Sequence, residues 1–320
     1  MNNSFEEIAA VLRGVKRAVI LPHLNADGDA VGSCKAMKAM IEMMGGQADI
    51  YSEERIEERL SFISDGIEVF TGNEDKAYDT CIALDCGDEQ RLGKRAVFAQ
   101  RADAIVNIDH HRTNTYFGNI NYVDPNAAAT AQILAALVSY MGIKPDKVMA
   151  EYLYTAICSD TGCFAYSNTS SATMRIAADL LETGIDHAEC ARLLFDSVPL
   201  ETELLKAELT KSIRSYYGGR LRIVSAVPAI AEKYGLDMDD VSDLVNIPRR
   251  ITGTEIAVSI KYDGVKIRAS LRSNGDADVA AVALKFGGGG HTRAAGCTVD
   301  AGSIEDAEAM IVKECGEALS

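Results

Sequence analysis

The chain predicts a two-domain α/β protein, in which a parallel-sheet domain is joined by a helical linker to a smaller mixed-sheet α/β domain. Three observations predict this. Short apolar runs alternate with segments of helical composition through the first half, the pattern of a parallel sheet with crossover helices. A long polar stretch without glycine, 200–217, then breaks the alternation. Beyond it the apolar residues alternate singly, as in half-buried strands. A length of 320 residues allows each domain its own core.

Taken in order, the opening "MNNSFEEIAAVLRGVKRAVIL" predicts a short helix followed by a strand, with no basic leader ahead of a long apolar core. Residues 18–23 and 48–51 predict strands, and 30–44 a helix rich in Ala and Met that stops at Gly45-Gly46. The runs 80–85 ("TCIALD") and 104–108 read as buried strands separated by a helix over 89–102. Helices are predicted at 127–141, 146–159, 169–182 and 186–195, so the first domain spans 1–187 and the linker 188–217. In the second domain, 218–320, strands fall at 221–227, 255–262 and 265–273, the last two a hairpin turning at Asp263-Gly264. A helix over 278–286 runs into "GGGGH", and an amphipathic helix at 304–318 closes the chain.

A formal net charge of −15 argues against a binder of long nucleic acid, whose affinity comes from Lys and Arg meeting phosphates. Between Arg249 and Arg293, however, eight basic residues face four acidic ones, either a solvated face or a local phosphate-binding surface. No apolar segment approaches the roughly 20 residues that span a bilayer. Eight cysteines without a CxxC pair suit reduced thiols, and hence a cytoplasmic protein, better than a disulfide scaffold.

Acidic residues and histidines collect at the predicted strand ends. "LPHLNADGDAVGS" supplies His23, Asp27 and Asp29; "ALDCGD" supplies Asp85; "IDHH" supplies Asp109, His110 and His111; "CSDTG" supplies Asp160. Singly, each has a plain structural reading: Asp before Gly makes turns, and Asp at a strand end caps helices. Ligands of open α/β sheets bind at the carboxyl ends of strands, so convergence there points to a shared site. Gly28 allows a tight turn between Asp27 and Asp29, and Asp85 has two oxygens with which to bridge. The carboxylates of Asp27, Asp29, Asp85 and Asp160 match the charge of two divalent ions. Oxygen and imidazole donors without thiolate favour Mn²⁺ over structural zinc, and Mg²⁺ ranks lower because it shuns imidazole. The arrangement suits two-metal phosphoester hydrolysis.

These blocks resemble the motifs of the DHH phosphoesterase superfamily: HxxxDxD, a strand-end Asp, DHH, and a later Asp before Thr-Gly. "FGGGGHTRAAG" is similar to the signature of the DHH-associated C-terminal domain, so the likeness runs from His23 to Gly296. In size and layout the chain most resembles the nanoRNase/pAp-phosphatase group, which cleaves very short oligoribonucleotides and 3′-phosphoadenosine 5′-phosphate. The resemblance implies one ion held by His23, Asp27 and Asp85, and a second held by Asp29, Asp85, His110 and Asp160. It implies that His111 faces the substrate phosphate while Asp109 orients the histidine pair, so these two are the catalytic candidates. It also implies that Arg272 of "SLRS", with Gly288, Gly289, Gly290 and His291, grips the terminal phosphate.

On the residues alone, the four glycines are either a flexible loop or a place where backbone N–H groups approach an anion. Phe164, Tyr166 and Asn168 are either core or contacts to a base and ribose. The expected partners are short RNA or nucleotide substrates, with no membrane and no long duplex. A homodimer is expected from relatives only. Four other readings compete: a cyclic-di-AMP or pApA phosphodiesterase, a RecJ-like exonuclease, a family II pyrophosphatase, and a nucleotide-binding regulator without turnover.

Overall fold

Strands that are apolar on both faces need cover on both faces, and the first half of the chain supplies it. The protein is described by a computed structural model covering residues 2–72, 75–238, 241 and 243–319. It divides into two units, Met1–Ser197 and Val198–Ser320.

In the first unit, β1 (Arg17–Leu21), β2 (Gln47–Ser52), β3 (Ile67–Val69), β4 (Thr80–Leu84), β5 (Ala104–Asp109) and β6 (Ile120–Val123) form one parallel sheet. Their spatial order is β3-β2-β1-β4-β5-β6. The chain moves outward from β1 to β3, then returns to β4 on the other side of β1. The order therefore reverses between β1 and β4, and the crevice at such a point is where open α/β sheets bind ligands.

The helices of this unit are α1 (Phe5–Gly14), α2 (Gly28–Met43), α3 (Ala96–Arg101), α4 (Thr130–Tyr140), α5 (Lys147–Asp160), α6 (Ser171–Leu181) and α7 (His187–Phe195). Period-two alternation sends Ala18, Ile20, Ile82 and Leu84 into a core shared with α1, α2 and α4–α7. Val19, Leu21, Cys81 and Ala83 enter a second core with Tyr51 and with Phe98 of α3. No helix among the described residues is long and apolar enough to cross a membrane.

The second unit contains α8 (Leu200–Lys211), α9 (Pro228–Glu232), α10 (Asn246–Arg249), α11 (Val279–Leu284) and α12 (Ile304–Ala318). Its strands are β7 (Arg214–Tyr216), β8 (Leu221–Ala226), β9 (Ile256–Tyr262), β10 (Ile267–Ser273), β11 (Gly289–His291) and β12 (Ala294–Val299). They form a mixed sheet of order β11-β12-β10-β9-β8-β7, in which only β8 and β9 pair in parallel. Leu221, Val258 and Leu271 pack with α11 and α12 on one face. Val224 and Ala226 pack with Leu205 and Leu209 of α8 on the other.

Several expectations are corrected. The predicted helix 89–102 is a 3-10 segment, Glu89–Arg95, followed by α3, because Gly93 adopts φ 59° inside it. The stretch 188–217 does not stand apart as a linker: α7 packs into the first core, while α8 and β7 belong to the second unit. Near its end lies the three-residue strand β7, where Tyr216 pairs with Leu221. The glycine run is not a flexible loop, since Gly289–His291 pairs with β12 as an edge strand. Gly28 serves close packing: a Cβ there would lie 2.4 Å from Ser159 Oγ.

Helices α2 and α5 meet through Gly32, where a Cβ would fall 2.6 Å from the Tyr152 carbonyl oxygen and 2.8 Å from Ala156 Cβ. The obstacle is backbone, which cannot rotate away. Gly32→Val should therefore lower stability by about 2 kcal/mol, the usual range for an overpacked core. A urea-unfolding midpoint equal to that of the parent would contradict this helix contact.

Candidate metal centre

Every donor of the first unit leaves its secondary-structure element at the edge where the strand order reverses. His23 and Asp27 follow β1, and Asp27 caps α2 by accepting from the N–H groups of Asp29 and Ala30, each at 3.1 Å. Asp29, in the first turn of α2, is fully enclosed. Its carboxylate accepts from Thr130 N at 2.6 Å, Ala131 N at 3.0 Å and Ser33 Oγ at 3.0 Å. The start of α4 thus cradles an anion, as helix N-termini do. Asp85 follows β4 in the left-handed region, φ 57°, a conformation that non-glycine residues hold only where the surroundings impose it. Asp109 ends β5, with His110 and His111 directly behind it, and Asp160 ends α5.

Asp85 stands at the centre. Its Oδ2 lies 3.4 Å from His23 Nε2, which is 3.8 Å from Asp27 Oδ1. Its Oδ1 lies 3.4 Å from His110 Nε2, which in turn is 3.3 Å from Asp160 and 3.9 Å from Asp29. The two oxygens of one carboxylate therefore face different sets of donors. Both imidazoles are held through Nδ1, His23 against Leu24 O at 2.6 Å and His110 against Ala127 O at 3.2 Å, which turns each Nε2 toward the carboxylates. His111 differs: its Nδ1 meets Asp109 Oδ1 at 2.7 Å. Asp109 in turn accepts from His110 N at 2.8 Å and Asn114 Nδ2 at 2.6 Å.

The electrostatics reflect crowding of like charge. Burial, followed by the neighbouring carboxylates, pushes Asp29 and Asp160 well above the usual carboxylate range. Burial opposes the charge on His23, yet its hydrogen bonds with Asp27 and Asp85 prevail and raise it to about 10. His111 likewise rises against burial to about 9, chiefly through Asp109. Asp27 and Asp109 resist burial through His23 and His111 respectively, and lie below their ordinary values.

The donor chemistry fits divalent cations. Among the described residues, three groups bring metal-binding atoms within 4.8 Å of one another: His23, Asp27 and Asp85; Asp29, His110 and Asp160; and Asp85, His110 and His111. All of them lie here, and all the donors are oxygen or imidazole nitrogen. The first unit thus brings together the eight acidic and histidine residues that the sequence singled out at its strand ends.

Others escaped notice because their types carry no chemical signal. Thr130 binds two of the carboxylates. Asn107 and Asn114 form a buried network beneath the histidines, with Asn114 Nδ2 2.9 Å from Asn107 Oδ1. Fully buried Arg95 donates to Pro22 O at 3.0 Å and Tyr51 O at 2.9 Å, fixing the backbone just before His23. Asn168 donates to Ala128 O at 3.1 Å and to Asp160 O at 3.0 Å, so its amide hydrogens serve the protein rather than a base. Tyr166 lies over Gly162, and Phe164 packs 5.7 Å from Tyr154.

In the second unit, Arg272 of β10 and His291 of β11 both stand opposite Ala294 of β12, so all three share one face of the sheet. Arg272 is half-buried and donates to Leu271 O at 3.0 Å. The glycines divide their work. A Cβ at Gly288 or Gly290 would strike β12, at 2.2 Å from Gly296 O and 2.4 Å from Ala294 O, whereas Gly289 faces open space. The N–H of Gly288 is already given to Ala283 O at 3.0 Å, which removes it as an anion donor.

Burial and the neighbouring carboxylates favour the protonated forms of Asp29 and Asp160, and His23 is raised by Asp27 and Asp85, so affinity for Mn²⁺ should rise with pH. Titration calorimetry in buffers of different ionisation enthalpy should show net proton release. Binding without release, or tighter binding in acid, would refute the assignment.

Comparison with known proteins finds relatives for both units. The DHH family, N-terminal domain, matches residues 17–157, and the DHHA1 domain matches 223–317. A bifunctional oligoribonuclease and PAP phosphatase NrnA of Thermus thermophilus is 30% identical, covering 98% of this chain and 94% of that protein. A probable NrnA of Streptococcus mutans is 28% identical over 92% of this chain and 93% of that protein. The fold matches the crystal structure of an exopolyphosphatase-related protein from Bacteroides fragilis, with TM-score 0.92, 22% identity, and coverage of 98% of this chain and 95% of that one. With both domain types matched in sequence order and a 30% identical relative spanning nearly its full length, the chain belongs to the DHH family.

Proposed function

We propose that this chain is a manganese-dependent phosphoesterase that hydrolyses short oligoribonucleotides and 3′-phosphoadenosine 5′-phosphate. The observation that carries the reading is the central position of Asp85, each of whose oxygens faces a separate donor set. The activity of the Thermus relative, a bifunctional oligoribonuclease and PAP phosphatase, suggests the substrate class.

In this reading His23, Asp27 and Asp85 hold one ion, and Asp29, Asp85, His110 and Asp160 the other. When bound, such ions supply Lewis-acid charge at the phosphoryl group and a nucleophile at neutral pH. The residues of the chain do the rest. Asp109 fixes the His111 tautomer, so that His111 presents a proton to the phosphate or to the leaving oxygen. Arg272, half-buried on its sheet face, recognises a terminal phosphate through its planar fork, and His291 and Gly289 assist. All eight thiols are free, which fits a reducing compartment and a cytoplasmic setting.

Purified protein with Mn²⁺ should convert di- to pentaribonucleotides to mononucleotides and dephosphorylate 3′-phosphoadenosine 5′-phosphate, and chelator should stop both reactions. Asp85→Ala should abolish turnover. Oligonucleotides left intact while a cyclic dinucleotide or pApA is cleaved would replace the substrate assignment. Nucleotide binding without any hydrolysis would make the protein a regulator.

The two groups should separate kinetically. His111→Asn should lower kcat by about 100-fold, as loss of a general acid does, with Mn²⁺ affinity kept. Arg272→Ala should instead raise KM by roughly tenfold, the worth of a charged hydrogen bond, with a smaller effect on kcat. The reverse pattern would exchange the assigned roles.

A further inference from the structure

The turn leading into α4, residues 127–131, carries no titratable group, yet it reaches every segment of the metal centre. Ala127 O meets His110 Nδ1 at 3.2 Å, and Ala128 O receives Asn168 Nδ2, whose other bond, 3.0 Å long, goes to Asp160 O. Thr130 N donates to Asp29 Oδ2 at 2.6 Å, and Thr130 Oγ1 donates to Asp85 Oδ1 at 3.0 Å. Thr130 is fully buried, and Asp85 is 2% exposed.

The bland account is that a buried hydroxyl found the nearest acceptor. Two features go further. Imidazoles aside, Thr130 is the one side-chain or backbone hydrogen-bond donor to the Asp85 carboxylate among the described residues. Without that donor the buried carboxylate is held by imidazoles alone, at 3.4 Å from His23 and from His110, and its terminal torsion is broad and roughly two-fold. Rotation would turn both oxygens away from their separate donor sets. Also, one residue binds both Asp85 and Asp29, by hydroxyl and by amide, so their spacing is fixed through a single Cα.

We propose that Thr130 is a positioning residue: its hydroxyl sets the plane of the Asp85 carboxylate so that one oxygen serves each cation position. The inference rests on the two-ion reading above. A hydroxyl donating to the oxygen that meets His110 constrains that side of the bridge directly and the His23 side through the rigid carboxylate. Outer partners of this kind are worth about 10- to 100-fold in metal affinity.

The test uses the full chain without substrate. Thr130→Val keeps the shape and the backbone N–H but removes the hydroxyl, whereas Thr130→Ser keeps the hydroxyl. Calorimetry with Mn²⁺ should show about tenfold weaker binding of at least one ion in Thr130→Val, and binding within about threefold of the parent in Thr130→Ser. Electron paramagnetic resonance supplies a readout that general loosening would not reproduce. Two Mn²⁺ ions sharing a carboxylate are exchange-coupled, and Thr130→Val should weaken or abolish that coupling while circular dichroism and the thermal midpoint of the metal-free protein stay near the parent's. Parent-like affinity and coupling in Thr130→Val would overturn the role of Thr130 and leave the two-ion reading standing. A parent that binds no coupled pair would overturn both. If Thr130→Val does not fold, a Thr130→Ser protein with lost coupling would likewise overturn the proposal.

Discussion

The crowding of carboxylates, with Asp29 and Asp85 buried and Asp27 and Asp160 partly exposed, is the constraint on which the rest of the structure depends. Asp27, Asp29, Asp85 and Asp160 converge on two imidazoles at separations between 3.3 and 3.9 Å. Two like charges about 4 Å apart repel by about 4 kcal/mol at an effective dielectric of about 20. The protein relieves this in part with hydrogen-bond donors, three on Asp29 alone, and in part by holding protons. Such an arrangement destabilises the chain that carries it unless positive charge arrives. Its persistence is the strongest physical argument for a cation-binding function.

Topology explains why these donors meet. The reversal of strand order between β1 and β4 opens a crevice with His23 on one side and Asp85 on the other. Asp109, at the end of β5, takes the next place along the sheet, and α2 and α5 close the group through the Gly32 contact. Rigidity comes from beneath. Arg95 holds two carbonyls at the ends of β1 and β2, and the Asn107–Asn114 network fills the base of the DHH turn. Few of these groups touch a ligand, and all limit how far the donors can drift.

Legibility in the sequence followed the strength of local signals. The central strands were plain because "AVIL", "TCIAL" and "AIVNI" are continuous apolar runs, which parallel sheets require. The donors were plain because histidine is rare in this chain and acidic residues clustered at strand ends. Strand β12, "AAGCTV", was missed because Ala and Gly have little strand preference, and its form is imposed by pairing with β10. Strands β3 and β6 are too short to show a period. Thr130 was hidden inside an ordinary helical stretch, since nothing local marks a hydroxyl whose partner lies 45 residues away. The glycine run misled for a related reason. Close backbone approach and anion binding demand the same residue, and Gly288 and Gly290 lie against β12, where a Cβ would not fit.

The route of the chain through the first sheet also fixes an order of assembly during synthesis. Strand β1 emerges early, but its neighbour β4 comes only after β2 and β3 have been laid down on the opposite flank. The last donor, Asp160, follows the sixth strand and two further helices. A nascent chain therefore carries its acidic residues for most of the first unit's translation with no closed cage, and gains one only as α5 docks on α2. The set of donors is therefore complete once α5 has been made, late in the first unit but ahead of α6, α7 and the whole second unit.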